Sequence, residues 1–299
     1  MKELFFSRMA YDKPSFGGSM KVYVPLNFSS GGWSRGLIPQ AKFTFSNDTF
    51  NTGEILFSPV QVYTPDRTTE ERRFTGYCPG TTAPFTNLAT SLRGYTMLGT
   101  AGSGIYPRWG LGAEIGYAFR PGLNELFKDN LYAVVYGYIP GIIDTHGIKL
   151  LARTQIQGSG KVANSYTYII PKGFSNESSA IQNFIEEKYP VQSLLCVEYA
   201  LPLLSVNWSG LGRFAYLRNF ELRGFNELGL YGGGTAGKGT LASAGASFAA
   251  RLSNFLWLPY DVRAGIEFCH NYGSIFNSLL PEIEYLNRNS VSFIFTVDL

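Results

Sequence analysis

The sequence predicts an all-β fold, an antiparallel transmembrane β-barrel of about 12–14 strands. Three observations support this prediction: the composition, long runs in which apolar and polar residues alternate, and a regular succession of short and long connections. Charged residues make up 16% of the 299 residues and aromatic residues 15%, with 34 glycines and a mean hydropathy of −0.02. A soluble domain carries about 25% charged residues. A lipid-facing surface around a polar interior accounts for this composition.

Several classes of protein are excluded by the same sequence. A helical membrane protein needs apolar runs of about 18 residues, and none occurs. The net charge of +3 is small and no Lys/Arg-rich run appears, so no nucleic-acid partner is expected. The cysteines Cys78, Cys196 and Cys269 are widely spaced and the histidines are His146 and His270, so neither a metal site nor a cofactor is predicted. Buried thiols are expected at the cysteines, with a Cys196–Cys269 disulfide as the alternative.

Alternation with a period of two marks strands whose two faces differ. It is clearest in residues 108–119, 147–157, 240–252, 260–270 and 289–299. Runs of about 9–12 residues match the length that crosses a bilayer at a tilt, whereas strands of soluble sandwiches average about 5–6 residues. Further strands are predicted at 4–11, 20–28, 38–46, 53–60, 88–99, 129–139, 192–202 and 211–222.

Charged residues recur on the polar face of these strands, where the dry core of a sandwich would make them costly. In a barrel this face lines the lumen, in which charges are hydrated or hydrogen-bonded. Because both signs are present, pairing across the lumen is favoured over a role in pore selectivity. The predicted lumen-facing residues are Glu114, Lys149, Arg153, Glu198, Arg251, Arg263 and Glu267.

The connections between the predicted strands alternate between short and long, as they do in outer-membrane barrels. If the C-terminus is periplasmic, the long connections all lie outside the cell. These outer loops cover about 61–87, 158–191, 223–239 and 271–288. The short connections carry Trp109, Trp208 and Trp257 close to strand ends, which predicts an aromatic girdle at the membrane interface.

The longest loop contains a helical pattern. Ser178 or Ser179 could cap a helix whose apolar side holds Ile181, Phe184 and Ile185. This helix is expected to form a solvated lid. The alternatives are a helix that folds into the barrel mouth and one that contacts a partner.

The last strand has the form of an assembly signal. Phe293, Phe295, Val297 and Leu299 alternate with polar residues up to the final position. Barrel-assembly machinery recognises C-terminal strands of this kind, so this machinery is an expected partner.

The thirteen predicted strands are an odd number, whereas single-chain bacterial barrels normally have an even one. The segment from Met1 to Arg8 lacks the features of a signal peptide, because charges interrupt a very short apolar run. The chain is therefore either a mature form or the downstream part of a longer one. We expect a single barrel domain over 1–299, truncated at its N-terminus by one or more strands. Closure with twelve strands, which leaves the first segment loose, is the alternative.

Seven segments of the chain resemble one known family. The most specific is Tyr106-Pro107-Arg108-Trp109-Gly110, within 105–122. The others are 34–50, 91–99, 134–142, 169–174, 252–268 and 290–299. They resemble the C-terminal barrel of the TolB-like translocation proteins of Bacteroidetes, which is related to the surface-antigen (BamA) type. In that family a periplasmic propeller-like repeat domain precedes the barrel, and no such repeat is present here.

The resemblance implies a location in the bacterial outer membrane and a role as the membrane anchor of a translocation or assembly component. It implies no catalytic residues. Outer-membrane lipid and other envelope proteins are the further expected partners. Arg223-Gly224-Phe225 is similar to a motif that lies, in assembly-factor barrels, on an external loop folded into the lumen. The alternatives are a passive porin-like channel and an outer-membrane lipase built around His270, for which no serine stands at a recognisable spacing.

Overall fold

The computed structural model describes residues 17–46, 53–56, 60–63, 69–72, 75–78, 85–99, 105–122, 127–160, 167, 169–209, 215–234, 237–257, 261–279 and 287–298. The strands in these ranges are β1 (Gly17–Tyr23), β2 (Leu26–Asn27), β3 (Trp33–Ser46), β4 (Gly53–Leu56), β5 (Val60–Tyr63), β6 (Thr69–Arg72), β7 (Thr75–Cys78), β8 (Phe85–Leu98), β9 (Trp109–Phe119), β10 (Asn130–Pro140), β11 (Gly147–Gln157), β12 (Val191–Trp208), β13 (Tyr216–Gly234), β14 (Gly237–Ser253), β15 (Asp261–Tyr272) and β16 (Asn289–Asp298). The helices are α1 (Ser178–Lys188) and α2 (Ser274–Leu279), and the 3₁₀ segments are Lys172–Glu177 and Phe255–Trp257.

Twelve of these strands form one antiparallel sheet. Its order is β1-β3, followed by β8 to β16 in succession, and β2 pairs with β3 beside β1. Strands that are neighbours in the sheet are therefore nearly always neighbours in the chain. The predicted antiparallel all-β fold is confirmed. Within the described ranges β1 and β16 are the end strands, and no pairing joins them.

Most predicted strands lie in this sheet with ends within a few residues of those expected. Residues 53–60 are an exception, because β4 pairs with β7 and β5 with β6 in two small separate sheets. The region expected to be the outer loop 61–87 thus contains short strands and the beginning of β8. The predicted strand at 4–11 lies outside the described residues.

The outer loop predicted at 223–239 is wrong. β13 continues through this region to Gly234, and β14 begins at Gly237 and pairs with it. The glycines of this stretch interrupt the alternation in the sequence, because a residue without a side chain counts as neither apolar nor polar. In the sheet, Gly229 leaves space that the ring of Tyr231 fills. Arg223 accordingly lies inside a strand and not at the root of a loop.

The two faces of the large sheet differ in chemistry, as the alternation predicts. One side, which we call the aliphatic face, exposes large apolar side chains: Leu111 and Ile266 are each 57% exposed and Phe293 is 73% exposed. The register places Ile266 opposite Phe248 on one neighbouring strand and Phe293 on the other, so the face is continuous across strands. The opposite side, the charged face, carries the polar members of each alternating run.

Tyrosine rings lie over glycines on the charged face of β9. Gly112 is covered by the end of the Tyr136 ring and Gly116 by that of Tyr132, both from the neighbouring β10. A side chain at either glycine would collide with the ring above it. This close approach explains why glycines and tyrosines recur together in these strands.

The connection between β11 and β12 folds back onto the charged face. Residues 169–189, here called the inserted segment, contain the first 3₁₀ segment and α1. They form a buried cluster with β13, β14 and α2, made of Ile169, Ile170, Phe174, Ile181, Ile185, Tyr189, Tyr231, Leu241, Ile275 and Phe276. The predicted helix is confirmed, and its predicted apolar side packs against the cluster, where Ile181 and Ile185 are fully buried, while Glu187 and Lys188 are exposed. Among the described helices, none is long and apolar enough to cross a membrane.

The four tryptophans of the sequence lie at one end of the large sheet, which we call the tryptophan end. Trp33 begins β3, Trp109 begins β9, Trp208 ends β12, and Trp257 lies in the turn between β14 and β15. Because adjacent strands run antiparallel, these positions share the end occupied by the short connections. Trp109 and Trp208 are about half exposed. Trp33 was not among the predicted girdle residues.

Candidate functional site

All seven residues predicted to face the lumen lie on the charged face. The register pairs Lys149 with Glu198 and Arg251 with Arg263, which requires that each pair shares a face. The contacts divide the seven into separate groups. Lys149, Glu198, Arg263 and Glu267 belong to a cluster beneath the inserted segment, whereas Arg251 lies at the tryptophan end and Glu114 on β9. Arg153 lies on β11 opposite Leu194 and is half-buried.

Glu198 is the centre of the cluster. Its buried carboxylate accepts a hydrogen bond from Arg223 Nη1 at 3.0 Å and another from the hydroxyl of Tyr106, which precedes β9. Arg223 Nη1 also donates to the Tyr106 oxygen at 3.0 Å. Burial raises the pKa of Tyr106, Arg223 lowers it and Glu198 raises it, with a net rise. Tyr106 is therefore a neutral donor to the carboxylate.

Glu221 is fully buried and is paired with two arginines. Arg223 Nη2 lies 2.9 Å from Oε1 of Glu221, and Arg263 Nε contacts the same oxygen. A buried carboxylate without a cation beside it costs several kcal/mol, and the two guanidinium groups offset this cost. Because Arg223 contacts both Glu198 and Glu221, the carboxylates of β12 and β13 belong to one network.

Lys172 brings a further positive charge from the inserted segment. Its Nζ lies 3.2 Å from Oε2 of Glu198, 3.8 Å from Oε1 of Glu227 and 4.8 Å from the centre of the Phe225 ring. Its backbone N–H donates to Oε2 of Glu227 at 2.7 Å. Burial lowers the pKa of Lys172, but Glu198, Glu227 and Glu267 together raise it above its ordinary value of 10.5. Lys172 is thus charged at neutral pH.

Hydrogen bonds between uncharged groups also hold the inserted segment against the sheet at this cluster. Asn271 Nδ2 donates to the carbonyl of Gly173 at 3.0 Å, and the N–H of Gly173 donates to Ser243 Oγ at 3.4 Å. The hydroxyl of Tyr231 donates to the carbonyl of Ile169 at 2.8 Å. A side chain at position 173 would collide with Asn271. Ion pairs, hydrogen bonds and buried apolar contacts therefore act together to dock the segment.

A second group of charges surrounds Asp261 at the tryptophan end. Arg251 Nη2 and Arg218 Nη1 each lie 2.8 Å from Asp261 Oδ2, and Ser253 donates to Oδ1 at 2.6 Å. Arg251 thus forms an ion pair with a carboxylate at the tryptophan end.

A third group surrounds Glu114 and is less densely paired. Tyr132 donates to Oε1 of Glu114 at 3.2 Å, and Gln40 Nε2 lies 3.5 Å from the same oxygen. Nearby, Arg93 Nη2 donates to the hydroxyl of Tyr136 at 3.2 Å.

The histidines do not form a catalytic group with a serine in the described contacts. His146 Nδ1 lies 2.6 Å from the Tyr199 hydroxyl, and His270 Nδ1 lies 2.7 Å from Oδ1 of Asn289. Within the described part of the chain, no group of histidine, cysteine and acidic residues could hold a metal ion.

Two cysteines lie on the charged face as free, buried thiols. Cys196 is the cross-strand partner of Glu227, and the thiol of Cys269 lies 3.6 Å from Oε1 of Glu267. The alternative of a Cys196–Cys269 disulfide is therefore wrong.

The residues of the predicted assembly signal lie on the end strand of the sheet. Phe293 and Phe295 project from the aliphatic face of β16 and are more than half exposed. Val297 belongs to the same strand, and Leu299 lies outside the described residues.

Sequence reasoning missed Tyr106, Lys172, Glu221 and Glu227 in the cluster. Glu221 and Glu227 obey the same alternation as Arg223. Glu221 lies within the strand predicted at 211–222 and was overlooked there, whereas Glu227 would have been identified by a strand that continued past residue 222. Tyr106 and Lys172 lie in connections, whose course hydrophobic periodicity does not determine.

No family model, no curated protein and no solved structure matches this chain. The resemblance to the TolB-like translocation proteins therefore depends on the segments quoted above alone.

Proposed function

We propose that this chain is a bacterial outer-membrane β-barrel that serves as the membrane anchor of a translocation or assembly component of the envelope. The observation that carries the proposal is the aliphatic face, where large apolar side chains of successive strands are exposed while the opposite face is charged. Apolar surface left in water costs about 25 cal/mol per Å². Lipid removes this cost, provided that the edges of the sheet are paired, because unpaired backbone groups in hydrocarbon cost several kcal/mol each.

Strand length and tryptophan placement support the same proposal. β9, β10 and β11 have 11 residues each, and a tilted strand needs about 9–11 residues to cross a bilayer. Tryptophan favours the boundary between lipid and water, and the tryptophans lie at one end of the sheet.

A porin-like channel is the second candidate, and one observation favours it. Lys21 and Lys42 lie opposite each other on β1 and β3, and both are exposed on the charged face. Like charges in this arrangement repel each other unless water or an anion lies between them. The inserted segment favours the anchor, because it covers the charged face of β13 to β15 with buried contacts that a passive pore does not need.

The test is the behaviour of the purified protein in planar lipid bilayers. Stable insertion with little or no conductance would support an anchor. Steady conductance would support the channel, and recovery of a folded protein only in the aqueous phase would contradict both. A propeller-like domain encoded directly upstream in the gene would support the link to translocation.

A further inference from the structure

The charge cluster around Glu198 is balanced by the inserted segment. Among the strand residues that the described contacts join to this cluster, four are carboxylates and three are cations. The carboxylates are Glu198, Glu221, Glu227 and Glu267, and the cations are Lys149, Arg223 and Arg263. Lys172 supplies the fourth positive charge, and it belongs to a connection and not to the sheet.

The place that Lys172 occupies has the chemistry of a site for a primary ammonium group. Glu198 accepts a hydrogen bond from it at 3.2 Å, Glu227 forms an ion pair with it at 3.8 Å, and the ring of Phe225 lies beside it. A compact –NH₃⁺ group with three donors suits this combination of acceptors and an aromatic ring. Arg223 does not take this place, because Glu198, Glu221 and Tyr106 already hold its guanidinium group.

We propose that Lys172 is a built-in ligand, and that this site binds a primary ammonium group of another molecule when the inserted segment leaves. The ligand is a lysine side chain or a polyamine, which present the same group. The inference deepens the proposed function and depends on it in one respect, that the charged face lines the lumen. The inserted segment is then an autoinhibitory plug whose Lys172 presents the same ammonium group as the ligand that it excludes.

The two buried thiols report whether the segment is docked. Cys196 and Cys269 are 4% and 2% exposed on the wall beneath it. Their rate of reaction with the neutral reagent methyl methanethiosulfonate would be measured in liposomes, with Cys78 replaced by Ser. Lys172→Ala should accelerate the reaction by about tenfold or more, which corresponds to ~1.4 kcal/mol of docking free energy. The loss of the positive charge of Lys172 by itself disfavours the thiolate form of the cysteines and slows the reaction. Faster labelling would therefore show that the reagent reaches the thiols more easily.

Added amines then test the ligand. Millimolar cadaverine should return the Lys172→Ala rate toward that of the wild type and leave the wild-type rate unchanged. Tetraethylammonium carries the charge without N–H donors and should have no effect. Protection by Nα-acetyl-lysine amide as well would point to lysine side chains, and protection by cadaverine alone to free polyamines. If labelling of Lys172→Ala is accelerated and neither cadaverine nor Nα-acetyl-lysine amide slows it, the proposal is overturned.

Two variants serve as controls. Lys188→Ala removes a lysine of the same segment that lies over the ring of Phe184, outside the cluster, and should label at the wild-type rate. Adding Glu227→Gln to Lys172→Ala should abolish the amine effect. An unchanged labelling rate in Lys172→Ala, or an amine effect that survives Glu227→Gln, would contradict the proposal. Insertion is scored separately by resistance of the strands to external proteinase, so failure of the proposed function is distinguishable.

Discussion

Arg223 and Glu221 form an ion pair at 2.9 Å in which the carboxylate is fully buried. The same guanidinium group contacts Glu198 at 3.0 Å, so two buried carboxylates on neighbouring strands share one arginine. The charged face is therefore not a hydrated surface in this region. It is a paired network in which removal of one member leaves another without its partner.

Glu221→Ala should destabilise the folded protein by about 3–5 kcal/mol, because Arg223 and Arg263 would remain buried with one carboxylate fewer. Urea unfolding followed by tryptophan fluorescence would measure the change in free energy. Asp144→Ala is a suitable control, since Asp144 forms an exposed ion pair with Arg108 at 3.8 Å, and its effect should stay within about 1 kcal/mol. Equal losses in the two variants would contradict the assignment of Glu221 to a buried network.

Gly112→Ala should cost about 1–3 kcal/mol, because the added methyl group meets the ring of Tyr136. Gly224→Ala, also within a strand, has open space at the same position and should be close to neutral. The stabilities of both variants would be compared in the same unfolding assay. Replacement of Tyr136 by Leu should reduce the cost of Gly112→Ala, and an undiminished cost in this background would exclude the ring as its cause.

The double variant Phe293→Ser and Phe295→Ser should fail to enter the outer membrane, because it removes aromatic side chains from the aliphatic face of the last strand. Outer-membrane fractionation and heat-modifiable migration on a gel would measure insertion. Ile294→Ser changes the intervening residue on the opposite face and should insert normally. Normal insertion of the double variant would remove the assembly-signal interpretation.

The tryptophans should be quenched more strongly by lipids brominated near the headgroup than by lipids brominated near the chain end, since the tryptophan end would lie at the interface. Fluorescence of the protein in such liposomes would show this difference. The Trp109→Phe and Trp208→Phe variants should each lose part of the shallow quenching. Quenching that is independent of bromine depth would contradict an interfacial position.

The fold could be predicted from the sequence where apolar and polar residues alternate without interruption. Leu111 and Ile115 on one face and Glu114 on the other define β9 by themselves, because successive side chains of a strand point to opposite sides. The same rule failed in β13, where glycines interrupt the pattern around Gly229. The information needed there was the ring of Tyr231, which fills the space that the glycine leaves.

The candidate site was only half predictable for a related reason. Glu198 and Arg263 follow from strand alternation, since their positions in the pattern determine their face. Lys172 does not, because its location depends on how the inserted segment packs against residues far along the chain. Local sequence patterns do not determine such docking, so the position of Lys172 follows only from the structure.

The order of the strands in the large sheet indicates how the chain folds. From β9 to β16 each strand pairs with the one before it, so these contacts have low contact order and can form hairpin by hairpin. The inserted segment is the exception. It precedes β12, yet its buried cluster requires Tyr231, Leu241 and Ile275, which follow much later in the chain. Its docking must therefore be a late folding event, and each newly formed molecule passes through an interval in which the acidic wall is bare.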